Sequence, residues 1–323
     1  MESRNSERFR QAAGFLCPRL TQLLCSLDEG LRGSVREIRL RSERPLQLLT
    51  GEGLFFVVDG SLSKTGAGAA CVSSAELREC FSRLCEYSVH AHGASIARGF
   101  VAVRGGHRAG LCGTAVLADG QITSLRDISS INLRVAGEYP GAANGLFGRF
   151  FAHGLCSLLL AGPPGCGKTT LLRDLARQLS LSGRRVSLLD ERGEIAAAHR
   201  GVPQNDVGFS DVLTGYPKGE GLQIAIRCLN PQLILCDEIG SIAELRAMEE
   251  GLNAGVSLVA SAHAGDEKQL LTRPQLRRLL GAGIFDYIVL LGEQPGSAYR
   301  VLGVHQTAQP LLRDNAAEAK TFF

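Results

Sequence analysis

The chain has 323 residues, of which 45% are hydrophobic and 21% charged, and its net charge is +3 at pH 7. This is the composition of an ordinary globular protein large enough for two domains, and so small a net charge gives no reason to expect nucleic acid as a partner. The N-terminus is polar, and no apolar run approaches the roughly 18 residues that span a bilayer. The ten cysteines form no Cys-x-x-Cys pair. We therefore expect a reduced, cytoplasmic protein with no transmembrane segment of its own, which leaves open peripheral docking on a membrane complex.

Residues 1–140 are predicted to form a small α+β domain that regulates or assembles the rest. Ser73 and Glu76 have the spacing of a capping box, which predicts a helix over residues 77–87. Turn-forming residues at 137–145 mark the end of this domain and predict a hinge. The strands expected here are residues 35–40, 46–49 and 54–58, followed by a hairpin of residues 99–103 and 108–117.

Residues 141–310 alternate between short apolar runs and helical patterns. Continuous Val, Ile and Leu runs are typical of parallel strands that are covered on both faces. We therefore predict an α/β fold, a P-loop NTPase (RecA/AAA-like) domain whose mostly parallel sheet has helices on both faces and binds its ligand at the carboxyl ends of the strands. Residues 311–323 are expected to form a loosely ordered tail. The expected strands are residues 155–161, 186–190, 233–237, 256–262 and 287–291, and the expected helices are 169–181, 221–229, 242–252 and 274–280.

One segment between a predicted strand and a predicted helix has the sequence of a phosphate-binding loop. Backbone N–H groups and the helix dipole favour an anion at such a position. Lys168 is expected to contact the β- and γ-phosphates, and the Thr169 hydroxyl to bind Mg²⁺. The sequence thus predicts a site for a nucleoside triphosphate. The residues of this loop are Gly162, Pro163, Pro164, Gly165, Cys166, Gly167, Lys168, Thr169 and Thr170.

Two acids, Asp237 and Glu238, follow the apolar strand predicted at residues 233–237. Asp237 is expected to hold Mg²⁺ partly through water, because Mg²⁺ keeps much of its hydration shell. Glu238 lies one residue further on, where it can orient and deprotonate an attacking water. An acid in this place favours hydrolysis over phosphoryl transfer to a small molecule.

Two further predicted strands end in polar residues, Asp190 and Glu191 on one and His263 on the other. The acids either help to position Mg²⁺ or the attacking water, or cap the next helix in solvent. His263 either contacts the γ-phosphate or the water, or is a satisfied strand-end histidine. Arg192 and Glu194 are expected to support their own loop or a neighbouring subunit.

Three arginines are candidates for stabilising charge in the transition state, either within one chain or from a neighbouring subunit. Arg227 lies on a predicted helix, and Arg126 and Arg134 lie near the domain junction. A surface salt bridge is the alternative role for each of them.

With these motifs in place, the chain resembles the stage III sporulation protein AA family of endospore-forming bacteria, which is related to AAA-type and to secretion and pilus-retraction ATPases. The resemblance runs from about residue 35 to residue 291. Matching segments are G-P-P-G-C-G-K-T-T-L-L-R-D from Gly162, L-D-E-R-G-E-I from Leu189, N-P-Q-L-I-L-C-D-E-I-G from Asn230, R-G-G-H-R-A-G-L-C-G from Arg104 and S-S-I-N-L-R from Ser129.

The resemblance implies an ATPase of the mother-cell compartment that energises a secretion-like channel complex during sporulation. It also implies a homo-oligomer, a hexameric ring by analogy with secretion ATPases, and partners among membrane-embedded sporulation channel proteins. In the family pattern Asp190 and Glu191 correspond to the acidic box. Residues 261–264 correspond to the histidine box, which is shorter here than in pilus motors.

The residues themselves leave other functions open. A nucleotide-dependent switch that recruits partners would bind ATP and hydrolyse almost none. A small-molecule kinase would need an acceptor pocket and an arginine lid, and no clear lid segment is found. A nucleic-acid motor would have to use the arginines between residues 32 and 44. The absence of a guanine-reading Asn-Lys-x-Asp motif favours ATP over GTP.

Overall fold

The structure is a computed structural model that describes residues 2–239, 244, 246–248, 250, 254–296 and 299–303. It divides into two compact units between Glu138 and Tyr139. None of the described helices is long and apolar enough to cross a membrane.

The first unit is built on an antiparallel sheet of seven strands in the order β5-β4-β3-β1-β9-β8-β7, with a separate two-stranded pair of β2 and β6. Its helices are α1 (Glu2–Ala13), α2 (Pro18–Cys25), α3 (Glu29–Ser34), α4 (Ser74–Leu84), a 3₁₀ turn (Val89–His92) and α5 (Gly93–Ala97). Its strands are β1 (Val35–Arg41), β2 (Arg44–Pro45), β3 (Gln47–Thr50), β4 (Gly53–Val58), β5 (Ser61–Ser63), β6 (Cys71–Val72), β7 (Phe100–Val103), β8 (His107–Ala118) and β9 (Gln121–Arg134).

The capping box predicted at the start of α4 is confirmed. The Ser73 hydroxyl accepts a hydrogen bond from the Glu76 N–H at 3.2 Å, and the Glu76 carboxylate accepts one from the Ser73 N–H at 2.9 Å. The helix ends at Leu84, three residues before the predicted end, because Glu86 and Tyr87 take left-handed backbone conformations with φ of 49° and 58°. A helix cannot continue through such residues.

The second unit contains a seven-stranded sheet in the order β12-β11-β13-β14-β10-β15-β16. All neighbouring pairs are parallel except β15 and β16. Its helices are α6 (Asn144–Phe150), α7 (Lys168–Leu181), α8 (Lys218–Ile224) with a π-helical continuation (Ala225–Leu229), α9 (Glu267–Thr272) and α10 (Pro274–Gly281). Its strands are β10 (Leu158–Gly162), β11 (Val186–Asp190), β12 (Asp211–Thr214), β13 (Leu233–Cys236), β14 (Ser257–His263), β15 (Tyr287–Leu291) and β16 (Tyr299–Gly303).

This α/β architecture confirms the predicted fold class and the five predicted strands of the second unit. The edge strands β12 and β16 were absent from the prediction. Of the helix predicted at residues 242–252, only residues 244, 246–248 and 250 are described, and they are helical. The predicted tail at residues 311–323 lies outside the described residues.

Apolar side chains fill both faces of the sheet in the second unit. Because side chains alternate along a strand, Leu158 and Leu160 pack on one face with Leu172 and Leu175 of α7, while Leu159 packs in the cluster on the other face. Every residue of β10, β11 and β13 is buried. The polar groups that follow these strands therefore emerge together at the carboxyl edge of the sheet.

Candidate functional site

The predicted phosphate-binding loop connects β10 to the first residue of α7. Gly165 and Gly167 have φ of 79° and 99°, in the left-handed region that glycine adopts without strain. A Cβ on Gly162 would lie 2.6 Å from the Cys166 sulfur, so the turn closes only with glycine there. Gly167 precedes α7 and supplies no side-chain cap. The N–H groups of the first turn are thus arranged to bind an anion.

Lys168, the first residue of α7, has its ammonium group inside this loop. The side chain is only 6% exposed. Its Nζ donates hydrogen bonds to the Gly162 carbonyl at 2.9 Å and to the Pro163 carbonyl at 2.8 Å. The same Nζ lies 3.2 Å from Nδ1 of His263. Lys168 therefore connects the loop with the carboxyl end of β14.

Thr169 and Asp237 meet at this edge of the sheet. The Thr169 hydroxyl donates to Oδ2 of Asp237 at 3.3 Å, and the Ser261 hydroxyl donates to Oδ1 at 2.5 Å. A hydroxyl and a carboxylate are oxygen ligands of the kind that Mg²⁺ prefers. The donor set present at this position fits a magnesium ion held together with a triphosphate.

Glu238 is fixed through its backbone and its side chain. Its φ of 40° is left-handed, and its N–H donates to the Ser261 hydroxyl at 3.0 Å. Oε1 lies 2.6 Å from Nε2 of His263, and Oε2 lies 2.6 Å from the guanidinium of Arg192. His263 thus stands between Lys168 and Glu238, with one ring nitrogen facing each.

The surroundings keep Glu238 ionised. Partial burial acts to raise the pKa of its carboxyl, but the hydrogen bond with His263 and the charges of Arg192 and Lys218 outweigh that effect, and the pKa lies below its ordinary value. A carboxylate at neutral pH can accept a proton from water, although here both of its oxygens already have partners.

Asp190 has a different role from the predicted one. It is buried, and its carboxylate accepts hydrogen bonds from four backbone N–H groups, those of Glu194, Ile195, Ala196 and Ala197. A carboxylate with both oxygens occupied in this way anchors the following loop, so it is neither a solvated cap nor a spare metal ligand. Glu191 is more open and lies 3.6 Å from the ammonium group of Lys218.

The candidate arginines belong to two different elements. Arg227 belongs to the π-helical segment after α8, and its exposed guanidinium lies 4.0 Å from Glu250. Arg126 and Arg134 are on β9 of the first unit, a strand absent from the prediction, and Arg126 pairs with the adjacent Asp127. Their role in stabilising transition-state charge, within one chain or from a neighbouring subunit, stays a prediction.

Three residues next to Glu238 were not assigned to the site from the sequence. Arg192 was expected to support its own loop or another subunit, but it pairs with Glu238. Ser261 bonds both Asp237 and the Glu238 backbone, and Lys218 donates to the Glu238 carbonyl at 2.5 Å. Lys218 carried no signal in the sequence, because the predicted helix begins at residue 221 and only the structure begins it at Lys218.

The parallel sheet and the loop at the end of β10 define the P-loop NTPase fold class. Within that class, a family model described as "Sporulation stage III, protein AA" matches residues 7–310, and the chain belongs to this family. The stage III sporulation protein AA of Bacillus subtilis (strain 168) is 37% identical over 270 residues, which cover 81% of this chain and 84% of that relative.

Solved structures share the fold at much lower sequence identity. The ATPase DotB of Legionella pneumophila is 15% identical with a TM-score of 0.57, over 87% of this chain and 80% of that one. The pilus retraction motor PilT, solved with bound ADP, is 15% identical with a TM-score of 0.53, over 89% of this chain and 84% of that one. At these identities the comparison establishes the fold alone.

Proposed function

We propose that this protein binds ATP with Mg²⁺ and hydrolyses it. One observation carries the proposal: Lys168, Asp237 and Glu238 meet at the carboxyl edge of a parallel sheet, and His263 bridges Lys168 and Glu238. The phosphates would lie on the loop of residues 162–170, against the ammonium group of Lys168. ATP is proposed over GTP because no guanine-reading motif is found.

Thr169 and Asp237 are the residues proposed to hold Mg²⁺, Asp237 partly through water. Magnesium, when bound, supplies positive charge that stabilises the oxygens of the departing phosphate group. Ser261 holds one oxygen of Asp237, so the other remains directed towards Thr169. This arrangement supports a division of roles in which Asp237 serves the metal and Glu238 serves the water.

Glu238 is proposed to orient and deprotonate the attacking water, with Glu191 assisting. Each Glu238 oxygen has a side-chain partner, His263 or Arg192, and a carboxylate oxygen can accept a second hydrogen bond, here from the attacking water. His263 touches both Lys168 and Glu238, so we propose that it reports the state of the phosphates to Glu238. Arg227 is proposed to stabilise transition-state charge, either within one chain or from a neighbouring subunit.

At the level of the cell, we propose a cytoplasmic, mother-cell ATPase that acts on a membrane-embedded, secretion-like channel complex during sporulation. Family membership supports the link to sporulation, and the fold shared with the ATPase DotB and the pilus retraction motor PilT supports a motor ATPase. We propose a hexamer that docks peripherally, with the segment at residues 137–145 as the hinge.

The proposal is tested by separating binding from turnover. Lys168→Ala removes the phosphate-contacting charge and is expected to abolish ATP binding. Glu238→Gln keeps the shape of the site and is expected to bind ATP but release no phosphate. Lys268→Ala, an exposed lysine on α9, is the matched control and should behave as the unsubstituted protein. Equal loss of binding in the Lys168 and Glu238 variants would contradict these roles.

A second candidate function is a nucleotide-dependent switch that recruits partners without appreciable hydrolysis. The observation that favours it is the engagement of both Glu238 oxygens by His263 and Arg192. ATP binding without phosphate release, even in concentrated and assembled protein, would support the switch over the ATPase.

A further inference from the structure

Lys218 carries its positive charge at a position where the local helix structure disfavours a cation. It is the first residue of α8, where the helix dipole repels positive charge, and Pro217 before it offers no side-chain cap. Its side chain is only 6% exposed. Lysines are almost never buried unless they have a partner, and side chains that break local rules are expected at functional sites.

The partners of Lys218 are the two acidic segments of the candidate site. Its Nζ donates a hydrogen bond of 2.5 Å to the carbonyl oxygen of Glu238. The same atom lies 3.6 Å from the carboxylate of Glu191. One cation therefore connects the segment after β11 with the segment after β13.

The carbonyl that Lys218 holds belongs to a residue in an unfavourable conformation. Glu238 has a φ of 40°, which a residue other than glycine keeps only when its surroundings hold it there. Ser261 accepts the Glu238 N–H at 3.0 Å, and Lys218 supplies the hydrogen bond on the carbonyl side. Together they fix the peptide groups on both sides of the Glu238 side chain.

We propose that Lys218 is a positioning residue that sets the backbone of Glu238 and links it to Glu191, so that the carboxylate proposed to activate water is aimed correctly. Lys218 touches neither phosphate nor water in this scheme. The inference rests on the proposed function, because it assigns a role within ATP turnover. It predicts that losing Lys218 harms catalysis and spares nucleotide binding.

The test is the effect of Lys218→Met on kcat and on ATP affinity, measured on the full chain. Methionine keeps the length and apolar stem but removes the charge and the donor. A displacement of about 1 Å in a catalytic group lowers a rate about 100-fold, which is the fall in kcat expected here. The Kd for ATP should stay within about threefold, since binding and catalysis separate when only transition-state contacts are lost. Lys268→Met, at an exposed position of α9, should change neither quantity.

Lys218→Arg keeps a charge and N–H donors at the same position. Its kcat is expected to be at least about tenfold higher than that of Lys218→Met. Unchanged kcat in Lys218→Met, equal losses of kcat and ATP binding, or no recovery with arginine would overturn the proposal. If Lys218→Met does not fold, Lys218→Gln is measured in its place. If neither Lys218→Met nor Lys218→Gln folds, Lys218 is required for folding, and the proposal that it positions Glu238 is overturned.

The failure of the proposed function gives a different result. If the unsubstituted protein shows no ATP turnover, the ATPase proposal fails and the role of Lys218 falls with it. Turnover in the unsubstituted protein that survives unchanged in Lys218→Met refutes the role of Lys218 alone.

Discussion

Gly162 offers a direct test of the geometry of the phosphate-binding loop. It ends β10, and a Cβ at this position would lie 2.6 Å from the Cys166 sulfur and 3.1 Å from Cβ of Leu291, whereas ordinary contacts begin at 3.4 Å. Gly162→Ala therefore has to move the loop or the strand. Overpacking of this kind costs about 1–3 kcal/mol. If that cost falls on the binding conformation, the Kd for ATP rises by about 5- to 150-fold.

A second substitution shows whether the sulfur is responsible. Cys166→Ala in the Gly162→Ala background removes the closest contact and leaves the one with Leu291, so ATP affinity should recover in part. The two substitutions should be non-additive, with a coupling of about 0.5–3 kcal/mol, as is usual for residues in contact. Fluorescence or calorimetric titration with ATP measures the affinity, and thermal unfolding measures stability.

The matched control is Gly148→Ala in α6, where an added Cβ meets nothing within 4 Å. It should bind ATP normally and lose no stability, because alanine favours a helix more than glycine does. Unchanged ATP affinity and unfolding temperature in Gly162→Ala would refute the reasoning. So would strict additivity with Cys166→Ala.

Three further predictions concern stability. Ser73→Ala should lower the free energy of unfolding by about 1 kcal/mol through loss of the capping box, and no change in urea denaturation would refute this. Asp190→Ala leaves four backbone N–H groups without their acceptor and should cost about 3 kcal/mol or more, so a loss below about 1 kcal/mol would contradict the anchoring role. Burial, with the charge of Arg8, lowers the pKa of His107 to about 4. The folded state therefore binds a proton less readily than the unfolded one, whose histidine pKa is about 6.5, and stability should fall by roughly 3 kcal/mol between pH 6.5 and 4. His107→Asn should not show this loss of stability at low pH, and identical pH dependence of stability in the two proteins would exclude the contribution of His107.

Local sequence patterns were sufficient where a structure is made by neighbouring residues. The capping box of Ser73 and Glu76 uses four consecutive residues, and the phosphate-binding loop lies within one short segment. Strands such as β10 and β13 of the parallel sheet are continuous apolar runs. Strand β9 (Gln121–Arg134) was missed because polar residues interrupt its apolar ones, and its pairing with β1 and β8 defines it. Helix α1 begins in a polar run. Its Phe9 and Ala12 are buried by packing in the folded unit, which the polar sequence around them does not indicate.

The candidate site divides in the same way. The carboxyl ends of parallel strands lie at one edge of the sheet, and this rule predicts that Thr169 and Asp237 lie close together. The partners of Glu238 depend on how three separate loops fold back, and no spacing in the sequence encodes this. The sequence predicts that Arg192 supports its own loop or a neighbouring subunit, yet Asp190 anchors that loop in a conformation in which Arg192 pairs with Glu238. Lys218 reaches Glu238 only because α8 begins beside the end of β13.

Phosphate release by the purified protein with ATP and Mg²⁺, and with no added acceptor, is the decisive measurement of ATP hydrolysis. It is measured over increasing protein concentration, together with the mass in solution and in parallel with Glu238→Gln. We expect saturable release by the unsubstituted protein, a specific activity that rises with assembly, and no release by the variant, which still binds ATP. Release no higher than that of Glu238→Gln at every concentration would contradict the proposed ATP hydrolysis.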